Sequence, residues 1–292
     1  MQSRNPIFAR AEGFNGRTTG PAYGNTYPGG TPQNAGYSDP SQWGTGTPGA
    51  PGTQVDQGRM TIDTVVQKTG ITLAVVILAA GATWFLTGDM ESMTQAQLNS
   101  LYGLSLFGAL GGFALAMVNS FKKVISPALV LVYAAVQGVF VGAFSKALEV
   151  MFTQPGQEPG GLVIGAVLGT MAAVAGTLAA YKFFNIQVGT KFRKWVIAAG
   201  MGFLAVTFLD MILSFFGAAI GFNGFGPLGL IMSVVGLGLG VLFLILDFDM
   251  VERGIAAGVP ERESWRAAFG LTATIVFIYI EIIRILAILR GD

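Results

Sequence analysis

Seven long apolar runs fill the chain from about residue 71 to residue 289, and they leave it one class of fold. The runs are Ile71–Gly88, Ser100–Val118, Ile125–Ala147, Gly161–Phe183, Trp195–Gly217, Pro227–Met250 and Trp265–Leu289. A membrane-crossing helix needs about 20 mostly apolar residues, whereas a barrel strand is about half that length and alternates in polarity. These runs are continuous and too long for barrel strands. The spacing therefore predicts an all-α fold: a polytopic membrane bundle of about seven transmembrane helices. Composition agrees, because charged residues make up only 11% of the chain against about a quarter in soluble domains. A chain so poor in charge cannot cover a globule with solvated groups, so the lipid bilayer is its expected surroundings.

The segment before the first run differs in kind. Residues 1–60 are dominated by Gly, Pro, Thr, Ser, Asn and Gln, as in YPGGTPQNAGYSDPSQWGTGTPGAPG, and have too little apolar content to bury. Disorder is expected there, with 61–292 forming the membrane domain. Met1–Arg10 has no apolar core and does not resemble a signal peptide. Tyr23, Tyr27, Tyr37 and Trp43 are scattered through the tail, where they are either incidental or contacts for membrane-protein partners. Met60–Lys68 is polar enough to lie at the interface ahead of the first span.

The basic residues set an orientation. Fourteen of the 17 lysines and arginines fall in the tail and in the second, fourth and sixth loops. The opposite side has only Lys146, Arg284 and Arg290 nearby, with Asp89, Glu91, Glu149 and Glu158 in or beside its loops. The positive-inside rule then places the N-terminus in the cytoplasm and the C-terminus outside, with an odd number of spans. An even count would require one run to be re-entrant, and the seventh, which carries Glu281 and Arg284, is the weakest of them.

Small residues recur within the runs at close spacing: Gly108 and Gly112, Gly138 and Gly142, Gly165 and Gly169, and the series Gly236, Gly238, Gly240. Glycines four apart let helix backbones approach closely in lipid.

Two absences restrict the chemistry. The chain contains no Cys and no His, so thiolate and imidazole ligands, Cys nucleophiles and a His general base are excluded, and no cofactor is expected. Its net charge of +1 argues against nucleic acid as a partner. Proton or cation handling must therefore run on Asp and Glu.

Charges at membrane depth are functional candidates. Asp247 and Asp249 end the sixth run in LILDFDM, Asp210 lies in the fifth, and Glu281 and Arg284 lie in the seventh. Asp210 is about 22 Å from Trp195 and Glu281 about 24 Å from Trp265 along their helices, which puts both in the outer half. Glu281 and Arg284 are i,i+3 neighbours, so an Asp210–Arg284–Glu281 network is open to them. Asp247 and Asp249 are two apart and point in different directions. If Asp249 faces inward, it can serve as a proton-operated switch without histidine. If both lie at the interface, they continue into Glu252 and Arg253 as a solvated helix end.

LFLILDFDMVERG, a short charged loop, Trp265 and a final apolar helix together resemble the Bax inhibitor-1 (YccA-like, transmembrane Bax inhibitor motif) family. SPALVLVYAAVQGVFVGAF in the third run and GTMAAVAGTLAAYKFFN ahead of a basic loop fit the same pattern. The resemblance spans about Met60–Leu289. The Asn5-Pro6-Ile7-Phe8 start and the Gly/Pro tail are similar to bacterial, actinobacterial-type members, which implies a bacterial plasma-membrane location. The family implies a seven-helix fold and a pH-sensitive Ca²⁺ leak gated by two acids, one ending the sixth helix and one in the seventh. Asp249 falls on the first position, with Asp247 beside it, and any Ca²⁺ site is expected near Asp249. The second position falls near Thr274, which does not ionise.

Other functions stay open. A proton-coupled transporter would show broken helices at matching positions of an internal repeat, and none is legible. A non-conducting scaffold would work through the tail and basic loops. An enzyme is not expected: the Gly-x-Gly-Asp context of intramembrane aspartyl proteases is missing, since Gly236-Leu237-Gly238 is followed by Leu239, and no Gly-x-Ser-x-Gly occurs.

Overall fold

The computed structural model describes residues 58–291 apart from 89, 91, 92, 154–159, 185 and 187. The disorder expected of the N-terminal tail falls on residues outside that set, save Gly58–Met60. Seven long helices follow: α1 (Ile62–Leu86), α2 (Gln95–Phe121), α3 (Pro127–Phe152), α4 (Gly161–Phe183), α5 (Thr190–Phe215), α6 (Pro227–Ala256) and α7 (Ser264–Gly291). All seven are long and apolar enough to cross a membrane. In lipid the backbone must satisfy its own hydrogen bonds, which is why even β-branched apolar runs become helices here.

Local signals set the ends. Thr61 with Thr64, and Thr94 with Gln97, form capping boxes that start α1 and α2. Pro127 and Pro227 open α3 and α6, where a missing N–H has no consequence. The face of the bundle on which α1 begins is called proximal below, and the other distal.

α7 is the most buried of the seven and packs against α1, α3, α4 and α6. It is a full-length helix, so the run that looked weakest from its charges is the centre of the bundle. Its charges are tolerated because buried partners meet them. α2 packs mainly on α3, and α5 mainly on α6, leaving both with large apolar faces toward lipid.

The glycine pairs do what their spacing predicts. A Cβ on Gly142 would lie 2.5 Å from the Ala80 carbonyl oxygen, and one on Gly138 would lie 2.6 Å from Ala79 Cβ, so α1 and α3 touch backbone to backbone. Gly165 and Gly169 receive Leu286 and Ile282 of α7, and Gly240 receives Ile278. Gly238, by contrast, has nothing within 4 Å.

The largest departure from the expected bounds is in α1. α1 starts at Ile62 rather than Ile71, so the stretch read as interfacial forms its first turns. Lys68 is buried there because Glu261 accepts its Nζ at 2.8 Å (Oε1) and 3.1 Å (backbone O), while Trp265 lies beneath it. The chain just ahead of α1 pairs with the α6–α7 loop: Met60 N–H donates to Val259 O at 2.9 Å, and Glu261 N–H to Gly58 O at 2.6 Å.

Candidate functional sites in the α5–α6–α7 layer

The two acids of LDFD part ways, as residues 200° apart on a helix must. Asp249 is buried and points toward α5. Its Oδ2 accepts from Arg193 Nη2 at 2.7 Å and its Oδ1 from Arg253 Nε at 2.9 Å. Arg253 also donates to Val188 O at 2.6 Å, tying the α4–α5 loop into the cluster. Neighbouring Glu252 accepts from Tyr181 of α4 at 2.7 Å. Asp249 is thus neither a free switch nor a solvated helix end; it is the centre of an ion-pair knot joining α5 to α6.

Asp247 points the other way, into the seam with α7. Thr274 Oγ1 donates to its Oδ2 at 2.6 Å, and Gly270 leaves room beside its Oδ1. Thr274, the position at which the resemblance implies a second acid, therefore meets Asp247 and not Asp249. No ion pair among the described residues reaches Asp247.

A resident Ca²⁺ near Asp249 does not fit this donor set. Both carboxylate oxygens are committed to guanidinium groups, and Ca²⁺ needs six to eight oxygens. Among the described residues no three acidic side chains converge as metal ligands. Ca²⁺ enters below only as cargo.

In the distal half, Asp210, Arg284 and Glu281 do come into one neighbourhood, but through backbone. The α5–α6 loop wraps its amides around Asp210: Ile220 and Gly221 donate to Oδ1 at 2.7 and 3.0 Å, and Asn223 to Oδ2 at 2.7 Å. Arg284 grips the same loop from α7, donating to Phe222 O at 3.0 Å and Gly224 O at 3.4 Å. Its Nη1 also lies 3.3 Å from Glu281 Oε2. Gly221 takes φ +98°, the left-handed conformation that lets successive amides converge on one carboxylate. Asp210→Ala should remove these acceptors at a cost of about 1–3 kcal/mol. Amide hydrogen exchange at Ile220, Gly221 and Asn223 should accelerate while the α7 amides stay protected; unchanged exchange would mean that the loop holds itself.

Three charges that the sequence put on or near the distal side, Lys146, Glu149 and Arg290, turn out to be built in. Glu149 of α3 is fully buried. It accepts from Leu162 N at 3.4 Å and Val163 N at 3.2 Å, from Thr153 Oγ1 at 3.1 Å and from Arg290 at 3.4 Å. One turn earlier, Lys146 donates to Trp84 O at 2.7 Å, Thr87 Oγ1 at 2.9 Å and Gly88 O at the C-terminal end of α1. The only sequence signal was the i,i+3 spacing of Lys146 and Glu149 near the end of a span.

Toward α1 and α3, α7 presents hydroxyl pairs: Ser264 with Thr64 (2.8 Å), Thr272 with Thr72 (2.7 Å) and Tyr279 with Ser145 (2.8 Å). These hold α7 to α1 and α3, while Thr274 and Arg284 engage α6 and the α5–α6 loop.

Such a bundle, with lipid-facing α2 and α5, a buried central helix and charges satisfied at membrane depth, defines a multi-pass integral membrane protein. The family model of Bax inhibitor 1 like proteins matches residues 5–291, and the chain belongs to that family. The match begins well before residue 60, so it takes in the Gly/Pro-rich segment that the resemblance had left outside. A search of curated proteins found no match to the chain.

Proposed function

We propose that the protein is a cation leak pathway, with Ca²⁺ as cargo, that runs along the α6–α7 seam and responds to pH. The observation that carries this reading is the contrast between the two acids. Asp249 is neutralised by Arg193 and Arg253, whereas Asp247 faces α7 with a neutral hydroxyl as its partner. A carboxylate without a paired cation, on a helix seam in a low-dielectric layer, attracts a passing cation far more strongly than one in water. The pH response is assigned to the Arg193–Asp249–Arg253 knot, whose charges tie α5 to α6. The fourteen basic residues on the tail side support a cytoplasmic N-terminus, in the bacterial plasma membrane that this reading takes as its setting. The same reading gives the protein no catalytic step.

The test is Ca²⁺ influx into liposomes holding a Ca²⁺-sensitive dye, from about pH 5 to about pH 8, a range in which perturbed carboxylates titrate. Wild-type influx should exceed that of empty vesicles and vary with pH. Asp247→Asn should reduce it about tenfold, the factor that a loss of about 1.4 kcal/mol of cation binding produces. Asp249→Asn should still conduct but lose the pH dependence. A variant lacking the tail should conduct like wild type, which a scaffold acting through its tail would not lead one to expect. Influx no greater than that of empty vesicles at every pH would overturn the leak.

A further inference from the structure

α6 and α7 run antiparallel with a regular register. Asp247 meets Thr274 and Gly270, Phe243 meets Phe277, Gly240 meets Ile278, and Gly236 meets Glu281. On α6 these positions recur at intervals of four and three, and their partners on α7 fall at 270, 274, 277, 278 and 281, the last three standing three, four and seven residues beyond 274, so each set forms one helix face. Polar groups occupy both ends of the seam and apolar groups its centre.

A third helix completes that centre. Phe203 of α5 meets Phe277 edge to face with centroids 5.9 Å apart, and Phe243 lies against Phe277 at 6.5 Å. The tip of Phe203 would lie 2.9 Å from a Cβ on Gly236, and Gly200 of α5 lies directly against the Phe243 ring. Thr274 and Glu281 are about 10 Å apart along α7, with Phe277 between them.

We propose that Phe203, Phe243 and Phe277 form a hydrophobic barrier that divides the seam into a proximal station at Asp247–Thr274 and a distal station at Glu281–Arg284. The inference rests on the proposed cation path and locates its closed point. Phenyl rings offer a hydrated ion no oxygen to replace its water, and a constriction lined by them empties of water until the rings turn aside. No hydrogen bond holds any of the three rings, so their displacement gives up apolar contact alone. The charged groups facing this stretch lie beyond its ends: Asp247 on the proximal side, Glu281 and Arg284 on the distal side.

Because the chain has no cysteine, a single introduced thiol reports water access without background. Thr274→Cys would be treated in right-side-out and inverted membranes with a membrane-impermeant, cationic methanethiosulfonate. The mass of the intact protein reads the labelling. Thr274→Cys should label from the proximal face only, and adding Phe277→Ala should open it to both faces. Phe203→Ala, on the loosely packed α5, should do the same, and Phe277→Leu should keep labelling one-sided. Labelling of Thr274→Cys from both faces or from neither, or one-sided labelling in both alanine variants, overturns the barrier. Dye influx run in parallel separates the two claims. A barrier that fails leaves wild-type Ca²⁺ influx intact, and a leak that fails leaves the labelling pattern intact.

Discussion

Glu149→Ala is expected to destabilise the fold by about 3–5 kcal/mol, the usual cost of removing one partner from a buried, hydrogen-bonded charge cluster. Glu149 is fully buried where the end of α3 meets the start of α4 and the end of α7. The first amides of α4 have no partners within their own helix, and the N-terminal end of a helix carries a partial positive charge, so a carboxylate there satisfies both needs. The substitution would leave the Leu162 and Val163 amides and the Arg290 guanidinium without this acceptor. Unfolding in mixed detergent micelles, followed by circular dichroism, reads the loss directly. Glu149→Gln, which keeps an acceptor oxygen but not the charge, should lose roughly half as much. A loss below about 1 kcal/mol for Glu149→Ala would place the group in water and refute the buried cluster.

The second large effect is steric. Gly142→Ala should push α1 and α3 apart, because the new methyl carbon would stand 2.5 Å from Ala80 O, 2.9 Å from Ala80 Cα and 3.0 Å from Ala80 C. These are backbone atoms of a continuous helix and cannot swing aside as a side chain would. Overpacking of this kind costs about 1–3 kcal/mol, with the upper end expected here. Gly238→Ala is the matched control, since nothing lies within 4 Å of that position. It should be neutral or add up to about 1 kcal/mol through helix propensity. Equal losses for both would mean that α1 and α3 do not touch through Gly142.

Hydropathy carried the element count and the order of the helices, since both are properties of runs of about 20 residues. It placed α4 at Gly161–Phe183, where the helix lies, and put Asp210 and Glu281 in the distal half, where both are found. It fell short wherever a polar group is satisfied by another element. Lys68 read as a boundary because its partner Glu261 is 193 residues away. Lys146 and Glu149 read as charges at the edge of a span because hydropathy scores a solvated charge and a buried, capped one alike. For Asp247 and Asp249, spacing showed that they diverge. Which of them meets α7 depends on the rotation of α6 about its own axis, and that is set by Gly236 and Gly240 packing against Glu281 and Ile278.

The central place of α7 bears on how the protein is made. α1, α2 and α3 hold one another through Gly108, Gly138 and Gly142, so they can associate as soon as the third has left the translocon. α4 and α6 must wait, because much of what they pack against is synthesised last among the described helices. Until then Asp247 lacks Thr274, Glu149 lacks Arg290, and the α5–α6 loop lacks the Arg284 that fastens it. An unfinished chain therefore holds carboxylates at membrane depth without their partners, a state that costs several kcal/mol per group. For this protein, completing α7 and closing the bundle are a single event.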